Sequence, residues 1–148
     1  MSEAPDPAAA MAACAEEAVA TARSRFDVEL DYSLESVKAL DRLMDRQHRQ
    51  IPQGLSRLIR KGPTDETLRI YSQLWGAYLG EVIRRLWGGE WSRPDDGIFA
   101  GLYVLTVRDN QLAPAAKAHK RLTNGAEDNV WSYLAVLHEL LNPPESPT

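Results

Sequence analysis

The segment LWGAYLGEVIRRLWGGEW, residues 74–91, decides how this chain folds. Drawn as a helix at about 100° per residue, it carries a broad apolar face, and further apolar residues return on the opposite side around Glu81. A helix that is apolar on nearly all sides is buried. We therefore predict that a helix over residues 65–87, capped by Thr64 and ended by Gly88-Gly89, is the central element of the domain.

Gly76 and Gly80 lie one turn apart on this predicted helix. Each glycine costs about 1 kcal/mol relative to alanine in a helix interior, so a compensating gain is expected. Two stacked glycines open a groove that another backbone can approach closely. The strand predicted over 98–107 or the final helix is the expected neighbour. A bound ligand in the same groove is the alternative.

The flanking sequence predicts an α+β fold, with about five helices around the central buried helix and a small antiparallel sheet of two or three strands. An all-α bundle with an added β-ribbon is the alternative. Residues 7–142 are expected to form a single domain, with disordered tails over 1–6 and 143–148. The further helices are predicted over about 7–25, from Ser33 to before Pro52, around 55–59, over 114–122 and over 127–141. Strands are predicted at 28–32 and 98–107, the second entering a hairpin at Asp109-Asn110.

Composition narrows the class of protein. A chain of 148 residues suits one domain with its own core. The single cysteine, Cys14, suits a reducing cytoplasm, and no apolar run reaches the roughly eighteen residues of a membrane span. The sequence has no phosphate-binding loop, no GxSxG and no HExxH, so we predict no metal and no cofactor. A net charge of −4 argues against a general nucleic-acid binder.

Glu81 is the one candidate for chemistry on the central helix. It could pair with Arg85 four residues on, in the favourable acid-first order. Alternatively it lies in a cleft with a raised pKa and acts as an acid or base. In that case Tyr78, Glu81, Arg85 and Trp91 would line a ligand pocket. Trp91 is the tryptophan expected to be the most exposed.

Basic residues are concentrated in the middle of the chain, where residues 42–63 hold six bases and one acid. Such runs are often solvated faces, but they can also contact an acidic protein surface or phosphates. The candidate interaction patch comprises Arg42, Arg46, Arg49, Arg57, Arg60 and Lys61, followed by Lys117, Lys120 and Arg121.

Three segments resemble an uncharacterised bacterial family, a domain of unknown function. They are LDYSLESVKALD (30–41), GAYLGEVIRRLWGGEW (76–91) and NQLAPAAKAHKRLTNGAEDNVWSYL (110–134). The shared motifs are Tyr-Ser-x-Glu-Ser, Gly-Ala-Tyr-x-Gly-Glu, Gly-Gly-x-Trp and Pro-x-x-Lys-x-x-Lys-Arg. Ala115 departs from the pattern, which has an aromatic residue after the proline. The resemblance implies a compact bacterial domain and assigns no activity.

The absence of a catalytic motif and the segregation of charge favour a non-enzymatic protein-interaction module with a protein partner. Immunity and antitoxin proteins, which are small and acidic, offer a fold-level analogy. A small-molecule enzyme or binder with a pocket near Glu81 is the first alternative. Nucleic-acid contact through the basic 42–61 segment is the second, and it predicts affinity that falls steeply with salt.

Overall fold

The computed structural model describes residues 6–52 and 61–142, and within them the predicted α+β architecture is confirmed. The elements in chain order are α1 (Pro7–Phe26), α2 (Leu34–His48), α3 (Asp65–Trp87), β1 (Glu90–Ser92), β2 (Val104–Val107), β3 (Asn110–Leu112), α4 (Pro114–Asn124) and α5 (Val130–Leu141). A 3-10 turn, Ala126–Asp128, joins the last two helices. The helical turn predicted around 55–59, the tail 143–148 and all but Asp6 of the tail 1–6 lie outside the described residues. No helix in the described ranges is long and apolar enough to cross a membrane.

Helix α3 is the central helix that the sequence predicts. Every residue from Leu74 to Ile83 is buried, and α1 and α4 make the most extensive packing against it. The Thr64 hydroxyl caps its start by accepting a hydrogen bond from the Thr67 N–H, at 3.1 Å. Gly88, with φ of 82°, ends it in a conformation that glycine adopts without strain.

The two glycines of α3 are sites of close packing, as predicted, but the expected neighbours are wrong. A methyl group added at Gly76 would lie 2.5 Å from both the Cα and the N of Ala115, in the first turn of α4. At Gly80 it would overlap the indole ring of Trp91 and press on Pro114. Pro114 occupies the first turn of α4, so the start of α4 and the Trp91 side chain of β1 fill the groove, rather than strand 98–107 or the last helix.

The strand predicted at 28–32 is wrong, because this stretch forms no strand and the sheet of the described residues contains β1, β2 and β3 alone. This stretch is a loop whose ends carry two left-handed residues, Asp27 (φ 56°) and Tyr32 (φ 65°). Leu30 is buried, which explains the apolar and acidic alternation without a sheet. The Tyr32 N–H donates to the Tyr78 hydroxyl at 2.8 Å, and that bond fixes the loop to α3.

The sheet has three antiparallel strands in the order β1-β2-β3. The hairpin predicted around Asp109-Asn110 is confirmed, but the strand predicted over 98–107 begins only at Val104. Residues 98–103 form turns instead, because Gly97 and Gly101 adopt φ of 86° and 78° and the Gly101 N–H bonds to the Pro94 carbonyl. Strand β1 was not predicted, since three residues give no usable alternation.

Candidate functional site

The Glu81 carboxylate is almost completely buried, with 2% of the residue exposed. Its partner is Arg84, whose Nε lies 2.7 Å from Oε2, so the expected pairing with Arg85 is wrong. The Trp91 Nε1–H donates to the same oxygen at 2.9 Å. Burial alone would raise the Glu81 pKa, but these hydrogen bonds and the nearby guanidinium charges outweigh it and hold the pKa below its usual range. The raised pKa considered for an acid or base role is therefore wrong.

Trp91 is buried rather than exposed, with 8% of its surface accessible. It projects inward because β1 pairs with β2 and places Trp91 opposite Leu105, against the glycine face of α3. A cavity of about 560 Å³ borders the Glu81–Arg84–Trp91 cluster, and the first turns of α1 contribute to its wall. Glu81 already accepts three hydrogen bonds from the protein, so it offers little acceptor capacity to a ligand there.

The other two predicted pocket residues, Tyr78 and Arg85, both contact Tyr32. The Tyr78 hydroxyl accepts from the Tyr32 N–H and lies 2.5 Å from the Ser36 hydroxyl. The Arg85 guanidinium lies 3.5 Å from the centroid of the Tyr32 ring. Glu81 and Trp91 therefore meet, whereas Tyr78 and Arg85 fix the loop before α2. The predicted pocket of four residues is not assembled.

The predicted basic patch does not form one continuous surface in the described residues. On α2, Arg42, Arg46 and Arg49 are exposed, as is Lys61 beyond it. Arg57 and Arg60 lie outside the described residues. On α4, Lys120 is exposed, while Lys117 is partly buried and pairs with Asp128 at 3.3 Å.

Arg121 does not belong to a surface patch, because only 2% of it is exposed. Its Nε lies 2.8 Å from Asp41 and its Nη2 lies 3.1 Å from Asp45. Asp41 also accepts from the Asn129 side chain and the Val130 N–H. Two carboxylates offset the cost of burying the guanidinium, and the cluster joins α2, α4 and α5.

An apolar opening lies where the start of α2 and the end of α3 meet one side of α5. This α3–α5 groove encloses about 420 Å³. Its lining residues are Leu34, Leu86, Trp87, Trp131, Leu134, Ala135, His138, Glu139 and Asn142. Leu34 and Leu86 remain 43% and 45% exposed, and His138 is also exposed. Exposed apolar surface in a concave site is typical of a binding surface.

The four tryptophans divide into two pairs, according to whether the indole N–H donates a hydrogen bond to another described side chain. Trp75 donates to the Gln47 side chain at 2.7 Å, and Trp91 donates to Glu81. In the described part of the chain, neither Trp87 nor Trp131 has an acceptor for its N–H, and both rings are partly exposed. Partly exposed tryptophans of this kind are enriched where proteins bind each other, because one end of the ring is apolar and the N–H can donate to a partner.

One cation stands at the rim of the α3–α5 groove. The Lys38 ammonium lies 4.4 Å from the centroid of the Trp131 ring, where the negative face of the ring attracts it. The Trp87 ring meets His138 edge to face, with centroids 6.4 Å apart. These contacts restrict the orientation of both indole rings.

Comparison of the chain with protein-family models, with curated proteins and with solved structures finds no significant match. The groove itself was not predicted from the sequence, because its walls come from helices far apart in the chain. The sequence of α5 nevertheless carried a signal for it. Helix α5 is apolar around most of its circumference, and a single buried face cannot cover all of that apolar surface.

Proposed function

We propose that this protein is a non-enzymatic interaction module of the reducing cytoplasm that binds a segment of another protein in the α3–α5 groove. The single observation that carries the proposal is the lining of the groove. Two leucines are nearly half exposed beside two indoles whose N–H groups have no acceptor within the described residues. Aromatic anchors in a small apolar concavity resemble the centre of a protein–protein interface.

The groove is large enough to contribute useful affinity. Fully burying a leucine side chain contributes about 1.5–3 kcal/mol, so covering the exposed part of Leu34 and Leu86 would add about 1 kcal/mol each. Trp87 and Trp131 present larger apolar surfaces to the same partner. Together these contacts can anchor a short segment, with the surrounding rim adding shape complementarity.

The engagement of the buried charges supports a binding role rather than catalysis. Glu81 is paired with Arg84, and Arg121 with Asp41 and Asp45. The Arg121 pairs join α4 to α2, and the hydrogen bond from Trp91 to Glu81 joins β1 to α3. The Glu81 pKa is shifted downward, away from the value that suits a general acid or base near neutral pH.

Site-specific photo-crosslinking in the native cells tests this proposal. A benzophenone amino acid at position 86 is expected to crosslink one recurrent partner. The same residue at position 98 is the control, because Ile98 is 90% exposed but lies outside the groove. Loss of the product when Trp131 is changed to Ser in the position-86 variant supports the groove. Equal products from positions 86 and 98, or none from position 86, would contradict it.

A second candidate function, a small-molecule binder beside Glu81, is favoured by the cavity of about 560 Å³ near Trp91. Its accessible charged groups are Arg84, with 40% of its side chain exposed, and the exposed Asp6 and Glu90. A fragment screen monitored by NMR separates the two functions. Ligands that shift the Trp91 indole signal and leave Trp87 and Trp131 unchanged would favour this second function.

A further inference from the structure

We infer that the segment bound in the α3–α5 groove is amphipathic and acidic, an inference that rests on the proposed function. The groove supplies an apolar floor, and one side of α2 supplies cations that continue from its rim. Lys38 stands over Trp131 at the edge of the groove, and Arg42 follows it one helical turn later. An apolar stripe flanked by carboxylates matches this combination.

The cations of α2 form a stripe because of helix geometry. At about 100° per residue, Lys38, Arg42 and Arg49 lie within about 40° of one another, and Arg46 lies within about 80° of Lys38. Leu34, at the start of the same helix, lines the groove. The charged stripe therefore begins beside the apolar floor and leads away from it along α2.

Two of these cations are not neutralised within residues 6–52 and 61–142. No carboxylate of those ranges lies at ion-pair distance from Arg42 or Arg46, and the nearest polar contact of Arg46 is the Phe26 carbonyl, at 3.3 Å. Arg49, by contrast, pairs with Asp45 at 2.9 Å, and Lys38 pairs with Glu35 at 3.6 Å. Arg42, one helical turn from Lys38, therefore leaves positive charge near the groove, which favours a negatively charged partner.

Three synthetic peptides of about 15 residues test the inference on the full chain. The first carries leucines at i, i+3, i+4 and i+7 with glutamates beside them. The second has lysine in place of each glutamate, and the third is a shuffled form of the first. Fluorescence polarisation of the labelled peptides gives the dissociation constants at low salt and at high salt.

We expect the glutamate peptide to bind more tightly than the lysine peptide, and added salt to weaken that binding. The double change Lys38→Gln with Arg42→Gln should weaken it by between about 2-fold and 30-fold, the range that two exposed ion pairs provide. The charge-matched control is Arg23→Gln with Arg69→Gln, whose exposed cations lie away from the groove. It should change the dissociation constant less than about 2-fold.

The neutral change Leu86→Asn separates failure of this inference from failure of the groove. It should weaken the glutamate peptide by about 5-fold to 10-fold through lost apolar contact. Equal binding of the glutamate and lysine peptides overturns the acidic partner and leaves the groove intact. Binding no tighter than the shuffled peptide, or unaffected by Leu86→Asn, contradicts the groove itself. Tight binding of single-stranded RNA that needs Arg42 but not Leu86 would replace the acidic segment with a nucleic acid.

Discussion

Gly76→Ala is the sharpest test of how α3 and α4 pack together. On an exposed helix this change stabilises by roughly 0.4–1 kcal/mol, because it restricts the unfolded chain. Here the new methyl group would lie 2.5 Å from the Cα and N of Ala115, so the start of α4 must move. Overpacking of this kind typically costs about 1–3 kcal/mol, and we expect a net loss of roughly 1–2 kcal/mol. That loss lowers the melting temperature by about 2–8 °C for a chain of this size.

Urea and thermal unfolding monitored by circular dichroism measure this effect. Ala115→Gly should not rescue Gly76→Ala, because the clashing atoms belong to the backbone. Gly80→Ala differs, since there the clash is with the six-membered ring of Trp91, and Trp91→Phe should partly rescue it. Because the clash at Gly76 is with backbone atoms, we expect Gly76→Ala to be more damaging than Gly80→Ala. A Gly76→Ala protein that melts at or above the wild-type temperature would refute the packing described for α4.

Three other changes test the buried polar contacts by urea unfolding. Tyr78→Phe should cost about 1–3 kcal/mol, because it leaves the Tyr32 N–H without its acceptor. Asp41→Ala should cost about 3–5 kcal/mol by stripping Arg121 of its closest carboxylate, and an unchanged midpoint would contradict this. The pKa of Glu81 is lowered in the folded state. Its contribution to the free energy of unfolding is therefore present above the unfolded pKa of about 4.3 and is lost as the pH falls below that value. Glu81→Gln should therefore lower the free energy of unfolding at pH 7 and weaken its dependence on pH under acidic conditions. An unchanged pH dependence in acid would count against the ion pair.

The sequence predicts well the helices that have both a periodic apolar pattern and a capping residue. Helix α3 begins and ends where predicted, because Thr64 caps it and the glycine pair stops it. Asp6 and Ser33 likewise cap α1 and α2. The loop before α2 was mistaken for a strand because burial of alternate side chains also occurs without a sheet. What fixes that loop is Tyr78, 46 positions from Tyr32 in the chain, and no local pattern reports such a contact.

In the candidate sites, too, local patterns predict some features, while contacts between distant residues determine the others. The sequence left open whether Glu81 is buried or paired. The structure shows that it is buried and that it pairs with Arg84 rather than Arg85. The fate of Arg121 could not be foreseen, because its carboxylates lie 76 and 80 positions away along the chain. The α3–α5 groove depends on the end of α3 meeting α5. No local pattern shows that Leu86 and Trp131 remain partly exposed, because tertiary packing determines it.

The most direct test of the proposed binding surface is a ¹H–¹⁵N NMR titration that follows the four indole N–H signals. The signals are assigned with single Trp→Phe variants, and the glutamate peptide is then added. We expect the Trp87 and Trp131 signals to shift, while those of Trp75 and Trp91, whose N–H groups are already bonded to Gln47 and Glu81, stay in place. Shifts confined to Trp91, or a titration that leaves Trp87 and Trp131 unchanged while the peptide binds elsewhere, would contradict the assignment of function to the α3–α5 groove.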